Sequence, residues 1–471
     1  MGSPVLLDDA QVLSFLRQGY VTMGANLPET THGQILDEVQ RVFAADGNPG
    51  NDILSRVEAL HQVLNAPTVA GALTSLLGPD HLLHPHRHCH LNPAGSDGQR
   101  MHQDSYEADQ NVRHHRVRWL MAFYYPQDVD ERMGPSSVVP ATQHLTAQAQ
   151  GCDHELPLHG RAGTVTIVHY DLWHRAMANV GDRDRFMVKF LFTRLTEPSG
   201  PTWQHDGSPW ERMPDDDPGD AELICRQNWA WLCGAENRSL NPDVSGSGSL
   251  DALQRQLTAA DESERLAAAY RLGCAGARAV PRLVDALRAE GAARVEANLE
   301  RSHTNPAQFD ASYGLTTAGA VAVPALMALL KDEAWWLRSS AADILGDMGR
   351  DATDATSALA ATLSDSSEWV RRNAAEALGI IGSAAAQVGT AQLAGPSASQ
   401  SGSPAGDTQA GDTQPGDALA ACLQDESVAV RHNAALALAR MGGGPQEALR
   451  AATRDESIYV SELSKIALER S

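Results

Sequence analysis

The chain has 471 residues, enough for two or three domains with more than one sizeable core. Hydrophobic residues make up 42% and charged residues 20%, which excludes a fibrous or wholly disordered chain. Lys+Arg 37 against Asp+Glu 59 leaves a net charge of −22, a field that repels phosphate backbones and anionic lipid heads and argues against nucleic acid or a membrane as partner.

The N-terminal MGSPVLLDDAQ lacks the basic-then-apolar order of a secretory leader, and no run approaches roughly 18 consecutive apolar residues. A cytoplasmic protein without a membrane span is expected. Six cysteines (Cys89, Cys152, Cys225, Cys233, Cys274, Cys422) form no C-x-x-C pair, so reduced buried thiols are expected rather than a disulfide framework or a thiolate zinc site.

Taken in chain order, a first helix runs into FLRQGYVTM, and HPHRHCHLNP follows, in which His84, His86, His88 and His90 alternate. Period two puts these imidazoles on one strand face, where they would bind a second transition metal, line a polar mouth or simply form a solvated face, with Pro85 marking an edge. From Val117 to Tyr125, Trp119, Met121, Phe123 and Tyr125 alternate as one face of a strand. The half before residue 240 therefore reads as β-rich. Residues 237–249 (NRSLNPDVSGSGS) favour neither helix nor strand, and the chain beyond is Ala- and Leu-rich with helical spacing. The expected domains are 1–240, a linker at 241–254, and a helical unit over 255–471.

Three segments of the second half align without gaps, beginning at Asp332, Asp365 and Asp425, each running Asp, five residues, Arg, then an amphipathic helix that ends in Gly. Weaker copies begin at Asp261 and Asp455. A helix pair of about 30 residues cannot bury its apolar face alone, so such repeats stack. Low-complexity sequence at about 385–416 reads as a disordered insertion. The Asp and Arg six apart and the ALGxxG endings resemble HEAT repeats, with Asp and Arg forming a polar ladder within each repeat. The resemblance implies an all-α solenoid that serves as a protein-interaction or scaffolding module.

Chemistry concentrates in RMHQDSYEAD and VHYDLWHRAMANVGDRDRFMVKFLFTR. His102 and Asp104, two apart on an extended segment, project the same way, and with His174 they offer two imidazoles and one carboxylate to one face of an Fe(II) ion. A chelating 2-oxo acid needs a fixed cation for its far carboxylate, and Arg185 on an apolar strand suits it; Arg183, with the same facing, competes for that role. No phosphate-binding Gly-rich loop and no G-x-S-x-G is found.

Together with GPSSVVPATQHL, these segments resemble the phytanoyl-CoA dioxygenase family over about residues 8–200. The resemblance implies a double-stranded β-helix (jelly-roll) with flanking helices, iron on His102, Asp104 and His174, 2-oxoglutarate on Arg185, and Asn179 as a hydrogen-bonding support beside it. It further implies O2 as co-reactant, ascorbate as a reductant, and a small organic substrate that is hydroxylated as 2-oxoglutarate becomes succinate and CO2. Pro140-Ala141-Thr142-Gln143-His144 departs from the Pro-Gly-Ser-His of relatives. An adaptor whose oxygenase-like domain is idle is the alternative. The repeats lack the His-Glu pairs of deoxyhypusine hydroxylase, so a chain ending near residue 240 is expected to retain turnover.

Overall fold

The computed structural model describes residues 2–104, 115–146, 154–208, 210, 221–235, 250–296, 309–393 and 414–471. Most of the insertion expected at 385–416, most of the linker and Cys152 lie outside the described residues.

The N-terminal segment shows why its sequence folds as it does. Asp8 caps α1 (Asp9–Gln18) in a reciprocal pair with Gln11, and Gly19 ends the helix in a left-handed conformation, φ +80°. β1 (Tyr20–Gly24) follows, then α2 (Glu29–Asp46), α3 (Ile53–Arg56), α4 (Leu60–Leu64) and α5 (Pro67–Leu77), the last with Pro at its first position. Eight strands complete the domain: β2 (His81–Asn92), β3 (Trp119–Tyr124), β4 (Ser136–Val138), β5 (Leu156–Leu158), β6 (Thr164–His169), β7 (His174–Ala176) and β8 (Arg185–Arg194) join β1. They form two sheets with antiparallel pairs throughout, ordered β1-β6-β3-β8-β2 and β5-β4-β7.

Both faces of the larger sheet are buried. Trp119, Met121, Phe123, Met187 and Leu191 turn to one core with Val138 and Leu158 of the smaller sheet. Leu120, Ala122, Tyr124, Val188 and Phe190 turn to a second core with Val12, Phe15, Ile35 and Leu73 of the N-terminal helices. This explains why β8 is apolar almost without alternation and why every one of its residues is buried. α6 (Glu222–Leu232) adds Trp229 and Trp231 to the helical side.

The helical unit comprises α7 (Leu250–Gln256), α8 (Glu262–Cys274), α9 (Val280–Glu296), α10 (Asp310–Ala318), α11 (Val323–Leu329), α12 (Trp335–Met348), α13 (Thr356–Thr362), α14 (Glu368–Leu393), α15 (Pro415–Cys422), α16 (Val428–Arg440), α17 (Gln446–Ala452) and α18 (Ile458–Glu469). It thus begins at Leu250, inside the expected linker. α12, α14, α16 and α18 pack in succession, and Gly346 and Gly379 let the backbones meet: a Cβ there would lie 2.8 Å from Ala377 Cα and 2.6 Å from Ala437 Cα.

The Asp–Arg ladder runs between repeats rather than within them. Arg338 binds the carboxylate of Asp365, Arg371 that of Asp425 and Arg431 that of Asp455, while each Arg donates to the backbone carbonyl of its own repeat's Asp. Spacing within a repeat cannot distinguish the two arrangements, because stacking brings the next Asp to the same fork. The stretch Asp310–Leu329 meets the length and composition of a membrane span, although no run of consecutive apolar residues reveals it. It is broken at Gly319–Ala322 into α10 and α11, which pack inside the helical unit.

The two units share a buried seam. Arg118, 1% exposed, binds both oxygens of Glu197 at 2.9 and 3.0 Å and also the Asp347 carboxylate on α12, over the ring of Trp231. Arg87 forks onto Glu462 of α18 at 3.1 Å, and Arg470 binds Asp80 at 2.7 and 2.8 Å. His115 stacks on Tyr313 at 3.5 Å and hydrogen-bonds the Tyr270 hydroxyl.

Candidate metal centre

The backbone brings the two histidines together before any metal does. His102 N–H donates to His174 O and His174 N–H to His102 O, both at 2.9 Å, a two-bond antiparallel bridge. Each imidazole is then fixed through Nδ1, His102 onto Arg100 O at 2.9 Å and His174 onto Leu172 O at 2.8 Å. A carbonyl only accepts, so each Nδ1 carries a proton and Nε2 is the nitrogen turned to the ligand set. Asp104 Oδ1 lies 3.7 Å from His102 Nε2, and Asp104 Oδ2 lies 3.7 Å from His174 Nε2. The ligating atoms of His102, Asp104 and His174 fall within 4.8 Å of one another. Gln103 turns the other way and donates to Leu145 O and Asp171 O, which anchors the triplet.

Electrostatics favours this set as a ligand for a divalent cation. Burial alone would raise the Asp104 carboxyl, but the Lys189 ammonium and His174 hold it well below the usual carboxylate range. Burial, with His174 adding to it, lowers His102 and favours the neutral ligand form. Two imidazoles and one carboxylate suit the open-sided sites of non-haem iron.

Arg185 is fully buried on the wall of the same cavity. Its Nε and Nη2 donate to Gly134 O at 3.1 and 2.9 Å, and its Nη1 is buried without a partner. An unpaired guanidinium nitrogen on a residue that lines a polar cavity is what an incoming carboxylate would satisfy. Arg183 is exposed, with Nη2 on Met133 Sδ, and does not line the cavity. Gly134, at φ +62°, has no room for a side chain: a Cβ would meet Asn92 Nδ2 at 2.4 Å.

Asn179, expected as a hydrogen-bonding support, is fully buried off the cavity wall; its Nδ2 donates to Asn92 O and Arg183 O, both at 2.9 Å, and clamps the loop that feeds β8. The histidine row is split by a register shift between Leu83 and Arg87, around Pro85. His84 meets His432 at 3.0 Å and His86 meets the Tyr459 hydroxyl at 2.9 Å in the seam, while His90 lines the cavity. Among the described residues the row gathers no three ligand atoms. His90 Nε2 is buried without a partner, and burial, with Lys189 adding to it, pushes the ring down to about 3.

The sequence reading missed Lys189, whose Nζ lies 2.8 Å from Asp104 Oδ2. The signal was there: a charge on an apolar strand four residues from Arg185, hence on the same face. Among the described residues one other group of three potential ligands occurs, Asp9, His205 and Asp206. There Asp9 accepts from Trp203 Nε1, His205 Nδ1 and Asp206 N, which makes it a structural tie.

Two imidazoles, a carboxylate and a buried guanidinium thus line one cavity beside antiparallel sheets. Residues 15–187 match the family model of phytanoyl-CoA dioxygenase (PhyH), and residues 322–392 match that of HEAT repeats. The chain therefore carries a phytanoyl-CoA dioxygenase family domain followed by HEAT repeats. No curated protein matches. Among solved structures, the non-heme alpha ketoglutarate dependent carbocyclase SnoK from nogalamycin biosynthesis is 20% identical, covering 41% of this chain and 88% of its own, with a TM-score of 0.35. The non-heme monooxygenase ThoJ in a nickel complex is 20% identical over 46% of this chain and 93% of its own, TM-score 0.33. EctD from S. alaskensis, with 2-oxoglutarate and 5-hydroxyectoine, is 15% identical over 41% and 79%, TM-score 0.36.

Proposed function

We propose that the first domain is an Fe(II)/2-oxoglutarate-dependent dioxygenase that hydroxylates a small organic substrate. The observation that carries this reading is the convergence of two Nε2 atoms, the Asp104 carboxylate and the unpaired Arg185 Nη1 on one cavity. His102, Asp104 and His174 would hold the iron, and Arg185 would take the far carboxylate of 2-oxoglutarate. Held by these residues, iron would supply O2 activation, coupling oxidative decarboxylation of 2-oxoglutarate to succinate and CO2 with hydroxylation of the substrate. The chain's own residues bind, orient and exclude water: Phe123 and Met187 give the cavity its apolar wall, and Ser136, Gln99 and His90 its polar one.

In this reading the two sheets are the halves of a double-stranded β-helix within residues 1–240, and the helices beyond form a HEAT-type solenoid. The solenoid acts as a scaffold whose first partner is the oxygenase domain itself, since Asp347, Glu462 and His432 are committed to the seam.

The test is succinate release. Fe(II)-loaded protein supplied with 2-oxoglutarate in air should release succinate, and Asp104→Ala should lose at least about 99% of that rate, because one ligand in three is removed. Equal release by both proteins would overturn the assignment.

A further inference from the structure

Lys189 stands four residues beyond Arg185 on β8 and faces the same cavity, its side chain 5% exposed. Its Nζ lies 2.8 Å from Asp104 Oδ2, and its neighbour across the register on β2 is His88. Its charge adds to burial in keeping His86, His88 and His90 neutral. The ammonium is thus built into the metal centre and bonded to one of the prospective ligands.

Two consequences of that bond have opposite signs. A hydrogen bond that fixes the carboxylate orients it for ligation and favours metal by about tenfold at most. Against it, a divalent ion on Asp104 must share the carboxylate with a like charge, in a site of low exposure where screening is weak. Two elementary charges on the ion make repulsion the larger effect. In the metal-free protein the same ammonium compensates the charge of the buried Asp104 carboxylate.

We propose that Lys189 is a charge-balancing residue of the metal centre, which weakens binding of the bare divalent ion and makes tight metal binding depend on an anionic co-ligand such as a 2-oxo acid. The inference rests on the metal-centre reading above. A dianion entering the cavity meets Arg185, Lys189 and the metal together and offsets the repulsion that Lys189 introduces. Lys189 thereby links the two binding events through charge, with no change of fold.

The experiment uses the full-length protein, titrated with Co(II) under nitrogen and followed by its visible bands, with and without N-oxalylglycine as a non-reacting 2-oxo acid analogue. Wild type should bind Co(II) at least about tenfold more tightly when the analogue is present. Lys189→Met, with Lys189→Gln as a second neutral variant, should bind Co(II) alone at least about tenfold more tightly than wild type and gain less from the analogue. Lys189→Arg, which keeps the charge, should follow wild type. If the neutral variants bind Co(II) no more tightly than wild type while Asp104→Ala loses binding, Lys189 only orients Asp104 and the proposal is overturned. Wild-type affinity indifferent to the analogue would overturn it as well, whatever the variants do. Equal Co(II) binding by wild type and Asp104→Ala would instead refute the metal centre itself, and the proposal with it.

Discussion

Arg185→Met should weaken 2-oxoglutarate binding by about 30- to 1,000-fold while leaving metal affinity within about threefold. The magnitude is that of losing one partner of a buried, charge-assisted pair, about 2–4 kcal/mol. The selectivity follows from position. Arg185 touches none of His102, Asp104 or His174; its Nε and Nη2 hold Gly134 O, and its Nη1 is unpaired. Because no anion is left uncompensated when the guanidinium is removed, the variant should fold. Calorimetric titration of 2-oxoglutarate into Co(II)-loaded protein reads the first quantity, and titration of Co(II) into metal-free protein the second. Unchanged affinity in Arg185→Met, with the loss appearing in Arg183→Met, would place the cosubstrate on the other arginine.

The second large effect concerns stability. Arg118→Met should cost about 3–5 kcal/mol, because it strands the Glu197 and Asp347 carboxylates in a seam where both are buried. Burial alone would raise the Glu197 carboxyl, but Arg118 holds it below the usual range, so its ionised form is the one the fold contains. Arg116 still reaches the Asp347 carbonyl and Trp231 still donates to Glu197, which keeps the loss from being larger. Neutralising both acids in the same background, Glu197→Gln with Asp347→Asn, should restore part of the loss, since the penalty comes from unpaired charge rather than missing contacts. Urea unfolding of the full chain measures each step; a loss below about 1 kcal/mol would contradict the buried triad.

The same seam bears on truncation. Cutting near residue 240 removes Asp347, His432, Tyr459 and Glu462, the partners of Arg118, His84, His86 and Arg87. β2 carries His84, His86 and Arg87 at the seam and His90 and Asn92 at the cavity, so one strand connects the helical unit to the site. The sequence suggests separable halves because each half has its own periodicity; the structure joins them through side chains whose partners lie hundreds of residues away.

What could be read from the sequence was local. Repeats were legible because Asp, Arg and Gly recur at fixed offsets, and the pairing of His102 with Asp104 because strand side chains alternate. Arg183 and Arg185 could not be told apart, because both share a face; the structure buries Arg185 on the cavity wall, its Nε and Nη2 on the Gly134 carbonyl, and leaves Arg183 exposed. The His84–His90 row read as one unit because period two ignores the shift around Pro85 that sends its two ends to different surroundings. Lys189 drew no notice because its partner Asp104 lies 85 positions earlier in the chain.

The most direct test of the central claim is an anaerobic titration of metal-free protein with Fe(II) and 2-oxoglutarate, watching for the weak visible charge-transfer band of a chelated 2-oxo acid. Wild type should develop the band at one equivalent of each, and His174→Ala should not. A folded wild-type protein that never develops it, or a His174→Ala variant that develops it equally, would contradict the assignment of His102, Asp104 and His174 as an iron site.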